Sequence, residues 1–132
     1  MAHVRAQIGE IDYAVTITAR QHTIVSDEPA PLGGQNVGPA PYDLLLGGLG
    51  ACTAITLRMY ARRKQWPLRG VNVDLSLHKD ESGARVDRVL TLEGELDDEQ
   101  RRRLLEISEK TPVTLTLKAG MKIDTRLHTA AA

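Results

Sequence analysis

The sequence predicts an α+β domain, mainly antiparallel strands packed on two helices. Three observations carry that expectation. Apolar residues alternate with polar or small ones over residues 11–18 and again over 71–78, the two-residue period of a half-buried strand. A long apolar run begins after Pro41 and closes before Pro67, with the acid Asp43 near its start and Arg62, Arg63 and Lys64 at its end. The elements read in the order β-β-β-α-β-β-α, followed by an ambiguous segment and a closing strand, so most strand neighbours are one turn apart in sequence.

The elements follow in chain order. Residues 4–8 and 11–18 form two strands around a Gly9-Glu10 turn, with Ile11, Tyr13, Val15 and Ile17 on one face of the second. A shorter third strand covers 22–26. SDEPAPLGGQNVGPAP, with four prolines and three glycines, is a loop long enough to be functional. The first helix begins near Pro41, where a missing N–H is no loss. Asp43 and the three terminal bases complement its dipole, and Pro67 ends it. Residues 71–78, with Val71, Val73, Leu75 and Leu77 alternating, pair with 86–96 across a turn at 80–83 to make a hairpin. Asp97 caps a second helix over 98–109, whose apolar residues are Leu104, Leu105 and Ile107. In 111–128, Val113, Leu115 and Leu117 alternate like a strand directly after a helix, and 121–127 is the better strand candidate.

The 132 residues suggest one domain spanning the chain. Phe is absent, so Leu, Val and Ile must fill the core. Formal net charge is zero, which argues against nucleic acid or an anionic membrane surface as the main partner. The apolar run 44–57 is too short and too rich in glycine to span a bilayer. The first residues hold no apolar stretch of signal-peptide length. A cytoplasmic location is therefore expected, where a thiol stays reduced. One cysteine excludes an internal disulfide and a cysteine-rich zinc site. His3, His22, His78 and His128 have no ligand spacing, and neither glycine cluster is a phosphate loop. No metal and no cofactor is expected. Arg101, Arg102 and Arg103 are most simply a solvated helix face.

The first helix poses the functional question. Its glycines, Gly47, Gly48 and Gly50, precede the chain's single cysteine, Cys52. Each glycine inside a helix costs roughly 1 kcal/mol relative to alanine, so a compensating gain is expected. Side chains tilt toward a helix N-terminus, so the surface over Cys52 is bounded by Leu49 and Gly48. Gly48 leaves a notch beside the sulfur, and Leu45, Leu49, Ile55, Thr56 and Met59 make it apolar. Gly47 and Gly50 lie elsewhere around the helix and could admit a second helix. The plain alternative is a buried cysteine acting as a small hydrophobe.

PYDLLLGGLGACTAITLRMYARRKQWPL resembles the central helix of the OsmC-like family, which includes the organic hydroperoxide resistance proteins. HTIVSDEP resembles that family's third strand and loop entry. LLEISEKTPV resembles its second helix running into Cys-Pro-Val, and MKIDTRL its closing strand. The resemblance implies an intertwined homodimer with two long helices packed centrally against sheets from both chains. It also implies a thiol peroxidase that reduces organic hydroperoxides. The nucleophile falls on Cys52. The resolving cysteine's position falls on Thr111, which cannot form a disulfide, so an external thiol reductant is required if the cycle runs. The acid falls on Asp43. The arginine falls on Arg20, unless His22 occupies that place. Gly48, Leu49, Leu45 and Met59 would bind substrate.

Asp43 and Cys52 are nine residues apart, so on one straight helix they lie about 13 Å apart along the axis and half a turn out of phase. Asp43 then serves Cys52 across the dimer, through an arginine bridge or from outside the regular helix, or else only complements the helix dipole. A protonated thiol does little, and an apolar notch by itself suppresses ionisation, so a nearby cation is required. The second hypothesis is an OsmC-like dimer that binds a small apolar ligand, with Cys52 incidental.

Overall fold

The computed structural model describes residues 2–128. Its elements are β1 (Arg5–Ile8), β2 (Val15–Ala19), β3 (His22–Ser26), α1 (Pro41–Lys64), β4 (Leu68–Asp80), β5 (Gly83–Gly94), α2 (Asp98–Ser108) and α3 (Pro112–Ala119). The chain divides into two compact units, residues 2–50 with Asp74–Val89, and Ala51–Val73 with residues 90–128. The helix α1 and the β4–β5 hairpin contribute to both.

In the first unit, β1, β2 and β3 form an antiparallel sheet in that order, with Ile8 opposite Val15 and Val15 opposite Ser26. The second strand starts later than its alternation suggests. Ile11 and Tyr13 lie in the connection, exposed, and Tyr13 takes a positive φ of 74°. The Ile8–Val15 pairing leaves residues 9–14 to reverse the chain, more than a Gly9-Glu10 turn could supply.

The loop after β3 is organised by one carboxylate. Asp27 is 2% exposed, and it accepts hydrogen bonds from the backbone N–H groups of Glu28, Gln35 and Val37 at 2.7, 3.1 and 3.2 Å. Gly34 is required there, because a Cβ would sit 2.0 Å from the Glu28 carbonyl oxygen. Burial pushes the Asp27 carboxyl up, but the donors from Val37, Glu28 and Gln35 together outweigh it and hold the group below its ordinary 3.8. A lowered folded value adds stability that is complete above 3.8 and is lost as pH falls through the folded value. Asp27→Asn should therefore be less stable than wild type at pH 7 in urea melts, and the gap should close as pH falls below 3.8. A gap that stays constant to pH 2.5 would show that the charge does not hold the loop.

The second unit holds the larger core. Leu57, Ala61, Leu68, Leu96 and Leu104 are buried together, flanked by Tyr60, Trp66, Val71, Leu90, Leu92 and Ile107. A capping box starts α2: Asp97 accepts from the Gln100 N–H at 2.7 Å, and the Gln100 side chain accepts from the Asp97 N–H at 2.9 Å. Arg101 ties the β5–α2 connection by donating to the carbonyls of Leu92, Gly94 and Leu96.

The ambiguous segment resolves into helix. Thr111 is the N-cap of α3 and Pro112 follows at its first position, a local start signal that overrides the alternation of Val113, Leu115 and Leu117. Residues 121–128 form no strand among the described residues, and Met121, Ile123 and Leu127 are 64, 82 and 93% exposed. By length and apolar composition alone α1, which is longer than the run 44–57, is long and apolar enough to cross a membrane. Its residues Leu57 and Ala61 are nevertheless closed by the unit's own core.

Candidate functional site

The sequence sorts α1 into two faces. Leu49, Thr53, Leu57 and Ala61, four residues apart, form a buried row. Leu45, Gly48, Ala51, Ile55 and Met59 are exposed, with Ile55 and Met59 at 58 and 60%. Cys52 lies at the border of this outer face and is partly exposed. Leu49, expected beside the notch, belongs to the buried row instead, at 6% exposure.

The glycines separate by role. A Cβ at Gly47 or Gly48 would meet nothing within 4 Å, whereas at Gly50 it would come within 2.9 Å of Leu75 Cδ1. Gly50 therefore admits a strand residue rather than a second helix. Among the described residues nothing requires Gly47 or Gly48, although each lowers helix stability by roughly 1 kcal/mol.

The remaining expected residues are held by contacts of their own. Asp43 Oδ2 accepts from the Ala40 N–H at 2.9 Å, satisfying a donor at the start of α1. Arg20 is exposed in the β2–β3 turn at a φ of 55°, and His22 pairs with Ala19 in that hairpin. Thr111 is fully buried, with its Oγ1 2.6 Å from Thr114 Oγ1 and accepting from the Thr114 N–H at 3.3 Å. The residue standing at the resolving position thus caps a helix. Among the described residues, no hydrogen bond joins Cys52 to Thr111.

Sequence reasoning missed Arg58. It is the only charged residue between Asp43 and Arg62, and a lone arginine inside an apolar helical run was the available signal. Its Nη1 donates to the Leu68 carbonyl and its Nη2 to the Arg69 carbonyl at 3.0 Å. Arg58 also borders a cavity of about 270 Å³ whose other walls are Ala54, Ile55, Met59 and Val71. Cys52 lies one turn before Ile55 on the same helix, within the same unit.

The pattern of the OsmC-like protein family matches residues 33–126, and the chain belongs to that family. No curated protein matches it. Among solved structures it is similar to an OsmC-like protein from Mycoplasma pneumoniae, at 20% identity and a TM-score of 0.78 over 89% of this chain and 87% of that one. It is also similar to the organic hydroperoxide resistance protein OhrB of Bacillus subtilis, at 26% identity and a TM-score of 0.62 over 87 and 88%. A third is an organic hydroperoxide resistance protein, OsmC, from Legionella pneumophila, at 20% identity and a TM-score of 0.65 over 87% of each chain. The α+β fold with antiparallel sheets and helices is that of the family.

Proposed function

We propose that this protein is a thiol-dependent peroxidase that reduces organic hydroperoxides through Cys52 and returns to its thiol state by an external thiol. The observation that carries the reading is the place of Cys52, partly open on an apolar helix face in a chain of the OsmC-like family. The cycle balances without a second protein cysteine. The Cys52 thiolate attacks the distal oxygen of R–O–O–H; an S–O bond forms, the O–O bond breaks, and the leaving alkoxide takes a proton to become R–OH. The Cys52 sulfenic acid then condenses with one external thiol, releasing water and leaving a mixed disulfide. A second external thiol attacks that disulfide, releases the small-molecule disulfide and restores Cys52.

A homodimer is part of the proposal. The exposed outer face of α1, the open positions at Gly47 and Gly48, and the unpaired alternation of Met121, Ile123, Thr125 and Leu127 all suit a second copy. Arg20 of the second copy, oriented by Asp43, would then supply the cation that the Cys52 thiolate requires. The other reading, a dimer that binds a small apolar ligand with Cys52 uninvolved, is favoured by the lack of any cation bonded to Cys52 among the described residues.

Sulfenic acid trapping separates the two. The native protein is mixed with cumene hydroperoxide in the presence of a dimedone probe and digested for mass spectrometry. The peroxidase reading expects one probe adduct on Cys52 within minutes, together with catalytic peroxide loss when dithiothreitol is supplied. A Cys52 that reacts only after unfolding would leave the binding reading in place.

A further inference from the structure

The inner side of α1 carries a second cavity, which Cys52 does not line. Tyr60 and Lys64 follow Leu57 and Ala61 by three residues each, so they extend the buried row and not the outer face. Tyr60 lies eight residues beyond Cys52, about 12 Å along the axis. Tyr60, Lys64, Trp66 and one side of α2 enclose about 520 Å³, a volume within the range of small-molecule sites. All of these residues belong to the second unit.

One wall of the cavity is fixed by its own contacts. Arg103 Nε donates to the Tyr60 hydroxyl at 3.0 Å, and Arg102 and Arg103 share the two oxygens of Glu106 at 3.0 and 3.1 Å. Trp66 packs edge-on to Tyr60, with ring centroids 5.5 Å apart and planes at 69°. Two rings are thus held in place along the cavity.

Two opposite charges on the same lining are left over. Lys64 makes no hydrogen bond or ion pair among the described residues, and its Nζ stands 5.7 Å from the Tyr60 ring centroid. The Glu99 carboxylate likewise has no hydrogen bond or ion pair among the described residues, so the two do not pair with each other. The Trp66 indole N–H has no acceptor among them either. The helix dipoles account for a base at the end of α1 and an acid at the start of α2. They do not account for both facing one cavity walled by two fixed rings.

We propose that this cavity binds an α-amino acid with an aromatic side chain. The ligand's carboxylate meets Lys64 and the Trp66 N–H, its ammonium meets Glu99, and its ring packs against Tyr60 and Trp66. A zwitterion bridges two opposite groups that do not reach each other. A plain anion would leave Glu99 unpaired beside it, and a plain cation would face Lys64. The site is independent of Cys52 and goes beyond the peroxidase reading. The outer face of α1, assigned to a second copy, lies on the other side of the helix.

Trp66 is the only tryptophan of the chain, so its emission reports on the cavity. L-Phenylalanine, 3-phenylpropionate and phenethylamine carry both charges, the carboxylate alone and the ammonium alone. Each is titrated into wild type, Lys64→Met and Glu99→Gln, with excitation where the ligands do not absorb and thermal melts to confirm folding. Wild type should bind L-phenylalanine saturably, and each one-charge analogue on the order of tenfold more weakly, because a charge-assisted hydrogen bond is lost. Lys64→Met should weaken L-phenylalanine and 3-phenylpropionate while sparing phenethylamine. Glu99→Gln should weaken L-phenylalanine and phenethylamine while sparing 3-phenylpropionate. A merely structural role for either residue would shift all three ligands alike and would overturn its assignment. No saturable response to L-phenylalanine up to its solubility limit, or an analogue that binds wild type as tightly, would overturn the zwitterion site. A variant that does not fold hands the decision to the wild-type ranking of the three compounds.

Discussion

Replacing Cys52 with serine is expected to lower organic hydroperoxide reduction by three orders of magnitude or more, to about the uncatalysed rate. A serine hydroxyl cannot become a stable sulfenic-type intermediate, and no other thiol exists in the chain. The substitution should leave folding nearly intact, because Cys52 is only partly buried and the change is nearly isosteric. Peroxide loss in the presence of dithiothreitol, measured beside a thermal melt, reads both. If the serine protein keeps its turnover, some other group or a contaminant performs the reaction, and the thiol mechanism is lost. Thr111 sharpens the same experiment. Its hydroxyl is buried and used in capping α3, so peroxide-treated wild-type protein should show no intrachain disulfide, only a Cys52 sulfenic acid or its mixed disulfide with added thiol.

The parts of this molecule that were legible in the sequence are those fixed by local chemistry. The α1 helix could be read from Pro41 to its basic end because proline, an acid and three bases mark its termini. The α2 start was legible because Asp97 and Gln100 form a capping box. The hairpin β4–β5 was legible because a two-sided strand alternates. The errors fall where a second local rule competed with periodicity. Ile11 and Tyr13 alternate but belong to a chain reversal set by the Ile8–Val15 register. Val113, Leu115 and Leu117 alternate but follow a Thr-Pro helix start.

The site was legible only in part, and for a physical reason. Helical spacing tells which residues share a face, so Cys52, Gly48, Leu45 and Met59 could be grouped on α1. It does not tell which face the rest of the chain covers, and Leu49 is buried. Nor does spacing along one helix say where a residue from a distant strand arrives. Arg20 and Asp43 could be named, but helical spacing does not place them against Cys52; Asp43 accepts from the Ala40 N–H. Arg58 was overlooked because its partners are backbone carbonyls at the start of β4, which leave no side-chain pattern.

The outer face of α1 supplies the second large expected effect, by contrast with the inner one. Leu57 is wholly buried among Ala61, Leu68, Leu96 and Leu104, so Leu57→Ala should remove about 3 kcal/mol of stability through lost transfer energy and a residual cavity. That loss belongs to the chain's own fold and should be the same at every protein concentration. Leu45 is 43% exposed on the other face, so in a lone chain Leu45→Ala should change stability by less than about 1 kcal/mol. If a second copy packs against this face, the Leu45→Ala effect should grow as protein concentration rises, because association stabilises the wild type by mass action. Chemical melts at submicromolar and at tens of micromolar protein would show it, with sedimentation read in parallel. A Leu45→Ala penalty that does not depend on concentration, in a protein that sediments as a monomer, would remove the dimer. The glycines give the same argument from the opposite sign. Gly47→Ala and Gly48→Ala should stabilise an isolated chain by roughly 1 kcal/mol each, since a Cβ there meets nothing. They should weaken association if a second helix needs that space.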